Sequence, residues 1–160
     1  SMGQYSMQLT PIQAARAVAA VANGGALYTP TLLSGAALHS TKVPVDPEVL
    51  EIVRQGMRFT VTGALAPALH FPFVSVAAKT GTAQTGTRNQ YDNSWVIGFF
   101  PHEKPQYAFA VVLERGPEGA GSQAVQAMKD FFLSLHADNS TYVGGTGEKP
   151  EPPAATSTGG

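Results

Sequence analysis

The stretch QYAFAVVLE, residues 106–114, constrains this chain more than any other. Its apolar residues fall at consecutive positions, so a strand built from it has no face to give to water. Such a strand needs cover on both sides and is expected at the centre of a sheet. Two further runs read as strands. Residues 73–83 are rich in small and β-branched side chains, and SWVIGFF at 94–100 stops at Pro101. The links between the three are short, which predicts antiparallel neighbours, because parallel ones need long crossovers.

The cover is expected from helices with local start signals. In TPIQAARAVAAVANGG, Thr10 can cap, Pro11 takes the first helical position and Gln13 completes a capping box, while Asn23-Gly24-Gly25 stops the run. A short extended piece at 26–33 follows, broken by Pro30. VDPEVLEIVRQGMRFTV repeats the start with Asp46, Pro47 and Glu48, and Val49, Leu50, Val53 and Met57 form a stripe. Residues 63–72, with Gly63, Pro67 and Pro72, read as a loop. GSQAVQAMKDFFLSLH reads as a closing helix capped by Ser122, with Val125, Met128, Phe131, Phe132 and Leu135 as its stripe. The predicted fold is α+β, an antiparallel sheet with helices on both faces.

Residues 1–136 are expected to form the folded part. From Ala137 the chain turns to Gly, Pro, Thr and Ser with almost nothing to bury, so 137–160 is expected to be a disordered tail. NST at 139–141 matches a glycosylation sequon, a short pattern of little weight.

Composition removes several function classes. There is no cysteine, which excludes disulfides and thiolate metal sites. A formal net charge of −1 gives no basic surplus for nucleic acid. No run of about 18 apolar residues spans a membrane, and the start lacks the pattern of a signal peptide. His39, His70, His102 and His136 are scattered without metal-ligand spacing. No metal or cofactor is expected.

The feature that carries chemistry is SVAAKTGTAQTG, residues 75–86. Taken alone, its four letters Lys-Thr-Gly-Thr are also ordinary strand-end and turn chemistry. A phosphate loop is excluded, because there the lysine follows the glycine. Strand periodicity places Thr80 and Thr82 on one face, and Lys79 and Gly81 on the other. Two hydroxyls side by side can grip one carboxylate. Gly81 lets a ligand backbone lie close to the strand. On an edge strand the Thr82 N–H can face outward and stabilise an oxyanion. Lys79 adds fixed positive charge.

These residues resemble the Lys-Thr-Gly element of the penicillin-recognising acyl-serine enzymes. GQYSMQLTPIQAARAVAAVANGG, KTGTAQ, NSWVIGFFP and PQYAFAVVLERG follow, in order, the C-terminal half of the transpeptidase domain of class B penicillin-binding proteins, most like the cell-elongation type. The resemblance covers roughly residues 1–135. One departure stands out. No serine here has lysine three residues on, and none has asparagine two on, so the family's Ser-x-x-Lys and Ser-x-Asn motifs are missing. YDN at 91–93 fits a Tyr-x-Asn variant only on paper, since it follows Lys-Thr-Gly. The chain therefore reads as a fragment holding one wall of an active site, without its nucleophile.

The resemblance implies a peptidoglycan D,D-transpeptidase whose serine attacks the D-Ala-D-Ala carbonyl of a stem peptide. Lys79 and Thr82 are then catalytic, and Lys79, Thr80, Gly81 and Thr82 bind substrate. The two threonines hold the terminal carboxylate, the Thr82 N–H is an oxyanion donor, and Lys79 bonds the second-motif hydroxyl. Implied partners are peptidoglycan stem peptides, β-lactams and a cell-elongation machinery that includes a glycosyltransferase. The implied location is extracytoplasmic, with a membrane anchor outside this chain. Trp95 is expected as core or cleft wall, Glu114 and Arg115 as solvated or locally paired, and residues 84–93 as a loop rimming the cleft, where Arg88 and Tyr91 could meet substrate. The alternatives are a non-catalytic penicillin-recognising sensor or structural relative, and an unrelated secreted α+β domain.

Overall fold

The computed structural model describes residues 8–87, 90–119 and 121–144. The order of elements is α1 (Pro11–Ala22), β1 (Ala26–Tyr28), β2 (Ser40–Lys42), α2 (Pro47–Thr62), a 3-10 turn (Pro67–Leu69), β3 (Ala77–Thr85), β4 (Tyr91–Phe100), β5 (Tyr107–Pro117), α3 (Gln123–Ala137) and a last 3-10 turn (Thr141–Val143). The first two helices start where the caps require. Thr10 and Gln13 form a full capping box, and the Asp46 side chain accepts the Glu48 N–H at 2.9 Å.

β3, β4 and β5 form one antiparallel sheet in that order. Helices cover both of its faces, as expected. On one face α3 and the 63–74 segment bury Ala78, Val96, Phe100 and Phe132 among others. On the other, α1 and α2 bury Ala77 and Phe99 against Val18, Ala22 and Met57. Two arginines on α2 fasten it to its neighbours by main-chain carbonyls. Arg54 donates to Ala22 and His102 at 3.0 Å each, and Arg58 to Val76 at 2.8 Å. Among the described residues no helix is long and apolar enough to cross a membrane.

The structure departs from the sequence reading in six places. Among the described residues the doubly apolar strand, β5, pairs only with β4 and stands last in the sheet, while β4 lies between two strands. Its composition reflects cover by α1 and α3, not strand neighbours. β3 starts at Ala77, so residues 73–76 lead into the sheet without joining it. β3 continues to Thr85, past the expected end at Ala83, and β4 starts at Tyr91 rather than Ser94, so Tyr91 belongs to β4 rather than to a rim loop. β1 has an unforeseen partner, β2, in a separate two-stranded ribbon. On α2, Leu50 and Met57 are buried, but Val49 and Val53 of the expected stripe are exposed; on α3, Phe131 is exposed likewise. Ordered packing also continues past Ala137: Val143 is buried in the core and Tyr142 lies edge-on to Tyr107. Residues 145–160, the rest of the expected tail, lie outside the described residues, as do residues 1–7.

Candidate active site

β3 leaves the core at Lys79. Ala77 and Ala78 are fully buried, whereas Lys79, Gly81 and Thr82 are exposed and Thr80 is half-buried. Among the described residues β3 is an edge strand, paired only with β4. The expected Lys-Thr-Gly-Thr motif therefore lies along an open edge, with its three side chains split between two layers.

Lys79 projects toward α1 and α2. It lines an open apolar groove of about 500 Å³ with Val18, Val21, Val53, Met57 and Ile97. Its Nζ donates to the carbonyl of Thr80 at 2.6 Å. Thr80 faces the other layer, a cavity of about 320 Å³ lined by Ala66, Pro67, Gly121, Ser122 and Val125. Thr82 follows on that same face and packs against Gly121: a Cβ added at Gly121 would lie 2.6 Å from Thr82 Oγ1. Gly81 stands opposite Trp95 in the ladder. A Cβ there would meet only Trp95 Cβ, at an ordinary 3.6 Å, so the described neighbours leave room for a side chain. The fold within this chain does not itself require glycine at this position.

Two residues that sequence reasoning missed support the threonines. Asp92 and Ser94 on β4 are buried and polar. Ser94 is the ladder partner of Thr82. Its Oγ donates to the Gly121 carbonyl at 2.8 Å and accepts the Ala124 N–H at 3.0 Å. The Asp92 carboxylate accepts the Gly119 N–H at 2.8 Å. The signal available in the sequence was a polar pair two apart on a strand whose other inward positions are apolar. Expecting that strand to begin at Ser94 hid Asp92.

Around the far end of the hairpin, a bulge fixes the geometry. Asp92 pairs with Gly116 and Ser94 with Leu113, so Glu114 and Arg115 both stand against Asn93. Arg115 has φ of 58°, its N–H donates to Asn93 Oδ1 at 2.9 Å, and its guanidinium lies over the Tyr91 ring. Tyr91 also packs on the Gly86 turn, where φ is 80° and a Cβ would lie 2.9 Å from the ring. Tyr91 is thus held at the hairpin base. Arg88 lies outside the described residues.

The histidines stay apart. His136 stacks on Phe73 with ring centroids 3.9 Å apart, and His39 and His70 are exposed. His102 sits between β4 and β5, where its backbone N–H donates to Ser75 Oγ at 3.0 Å. Burial holds its ring below the usual histidine pKa, against the opposing pull of Glu103. Glu103 is lowered in turn by the Ser75 hydroxyl that donates to it. Among the described residues, no three His, Asp or Glu side chains gather closely enough to hold a metal ion.

A family model described as the penicillin binding protein transpeptidase domain matches residues 1–133. The chain belongs to the penicillin-binding protein transpeptidase family. Within that family, it is 33% identical over 128 residues to the peptidoglycan D,D-transpeptidase PbpA of Mycolicibacterium smegmatis, covering 72% of this chain and 26% of that one. It is 28% identical over 164 residues to the peptidoglycan D,D-transpeptidase MrdA of Acinetobacter baumannii, covering 87% of this chain and 24% of the other. Among solved structures, penicillin-binding protein A of Mycobacterium tuberculosis as a penicillin G acyl-enzyme complex superposes with a TM-score of 0.69 at 29% identity, covering 84% of this chain and 33% of that one. The chain spans about a quarter of the length of the curated relatives it matches.

Proposed function

We propose that this chain forms the carboxylate-gripping wall of a peptidoglycan D,D-transpeptidase. The observation that carries the reading is the placement of Lys79, Thr80, Gly81 and Thr82 on an exposed edge of the sheet, where the fold does not itself demand glycine at 81. A ligand backbone approaching that edge would be obstructed by a side chain at 81.

In this reading a serine supplied outside these 160 residues attacks the carbonyl carbon between the two D-alanines of a stem peptide. Its oxygen bonds to that carbon, the peptide C–N bond breaks, and terminal D-alanine leaves with the serine's proton on its amine. An amine of a neighbouring stem then attacks the ester. The new amide forms, and the serine oxygen departs and regains its proton. The Thr80 and Thr82 hydroxyls hold the terminal carboxylate through the first step. The Thr82 N–H stabilises the oxyanion at the attacked carbonyl.

Strand geometry supports that last role. N–H and C=O of one strand residue point to the same side, and the side alternates along the chain. The Thr80 carbonyl accepts from the Lys79 side chain, which fits a residue turned away from β4. Thr82, two residues on, then turns the same way. Lys79 contributes positive charge and a donor for the hydroxyl of the family's second motif.

β-Lactams are expected to occupy the same grip through their own carboxylate, consistent with the acyl-enzyme complex of the structural relative. Peptidoglycan is assembled outside the cytoplasmic membrane, so the proposed site of work is extracytoplasmic. Membrane attachment and contact with a cell-elongation machinery including a glycosyltransferase would involve residues beyond this chain. The test is to incubate the full-length protein with a D-Ala-D-Ala stem peptide and an amine acceptor. Release of D-alanine and a crosslinked product by mass spectrometry, both blocked by penicillin, are expected. Covalent penicillin binding without any crosslinked product would favour a sensor instead.

A further inference from the structure

Helix α3 is capped from the sheet. Ser122 stands at its N-cap position, yet its side chain makes no capping bond. The free N–H of Ala124, in the first turn, is satisfied instead by Ser94 Oγ from β4. The same oxygen donates to the Gly121 carbonyl. A single hydroxyl, 1% exposed, thus fastens both the start of α3 and the turn before it. Asp92, two residues earlier on the same face, adds a second tether through Gly119.

The position of that oxygen matters because Ser94 is directly opposite Thr82 in the ladder, with both side chains on the α3 face. Gly121, held by Ser94, is the residue against which Thr82 Oγ1 packs. The height of the turn above the strand therefore sets the space left to the Thr82 hydroxyl. If the turn drops, Thr82 must rotate; if it lifts, Thr82 loses its support. Pinning the turn therefore fixes one wall of the space in which the Thr82 hydroxyl sits.

We propose that Ser94 is a positioning residue for Thr82, locking the β5–α3 turn so that the Thr82 hydroxyl is directed at the substrate carboxylate. The inference rests on the transpeptidase reading above and adds to it a residue that touches no substrate. Removing a substrate-directing hydroxyl's support misplaces it by a fraction of an ångström to an ångström, which in an active site costs about tenfold to a hundredfold.

The experiment uses the full-length protein and two probes, benzylpenicillin and its methyl ester. Wild type is expected to be acylated by the acid far faster than by the ester, because only the acid presents a carboxylate to Thr80 and Thr82. Ser94→Ala is expected to melt at a lower temperature, since the Ala124 N–H and Gly121 carbonyl lose their partner, but still in one cooperative transition, and to be acylated by the acid about tenfold to a hundredfold more slowly, with the ester little changed, so that the preference for the acid shrinks. Ser94→Thr, which keeps the hydroxyl, should recover the preference. An unchanged acid rate in Ser94→Ala, or an equal fall for acid and ester, would overturn the proposal, the latter marking a purely structural role. If Ser94→Ala fails to fold, Gly121→Ala decides: its Cβ would press on Thr82 Oγ1, so the same selective loss is expected, and wild-type behaviour would overturn the idea. A wild type that neither probe acylates would bring down the transpeptidase reading itself, and this inference with it.

Discussion

Lys79 and Thr80 are neighbours in sequence but line different cavities. Lys79 faces the apolar groove between α1 and α2, and Thr80 faces the cavity beneath the β5–α3 turn. The strand's period of two imposes that division, since successive side chains leave on opposite faces. Charge and hydroxyls can act on one ligand only where the two faces meet, at the strand's open edge. The Lys79 Nζ bond to the Thr80 carbonyl shows the lysine already reaching around toward that edge.

This division sets an order among substitutions in the full-length protein. Thr82→Val removes a hydroxyl from the carboxylate grip, whereas Thr80→Ser keeps one. A lost hydrogen bond to a charged group costs about 1.5–3 kcal/mol, roughly tenfold to over a hundredfold in rate. Stopped-flow acylation by penicillin should show Thr82→Val slowed by that factor and Thr80→Ser nearly intact. Equal rates for Thr82→Val and wild type would count against the grip.

The 160-residue chain by itself should not be acylated. It contains no Ser-x-x-Lys, and its Lys-Thr-Gly-Thr edge supplies donors rather than a nucleophile. Fluorescent penicillin followed by a denaturing gel is the check. A covalent band that unlabelled penicillin competes away would mean that a serine within these residues can act as nucleophile.

Much of this architecture was legible locally. Thr10, Pro11 and Gln13, and later Asp46 and Pro47, specify helix starts by bonds that close within three residues, and both helices begin there. Lys79 to Thr82 were legible because a period of two assigns faces without knowledge of the partner strand. The misreadings are non-local. Ser122 looked like a cap, but the bond comes from Ser94, which no local rule connects to α3. The doubly apolar run at 106–114 reported that helices cover it, and says nothing of strand order. Val49 and Val53 share a helical face with Leu50 by sequence, yet the contact runs along Leu50, Met57 and Val61. That choice depends on where the sheet sits.

His102 gives the chain a pH dependence of known sign. Burial lowers its pKa below 6.5, so the unfolded state binds a proton more readily than the folded one. The stability it contributes is complete above pH 6.5 and is lost as pH falls through the lowered value. Melting temperatures of the full-length protein between pH 7.5 and 5.5 should therefore decline toward acid, and His102→Gln should flatten that decline. An unaltered slope in His102→Gln would assign the effect to other groups.

Thr82→Pro in the full-length protein tests the outward-facing strand edge most directly. Proline deletes the backbone N–H and fixes φ, and an edge strand, as β3 is among the described residues, is where a sheet tolerates it best. Acylation by penicillin should be abolished while circular dichroism and the melting curve remain close to wild type. Undiminished acylation would show that the Thr82 N–H is not an oxyanion donor, and gross unfolding would show that it belongs to the sheet rather than to the cleft.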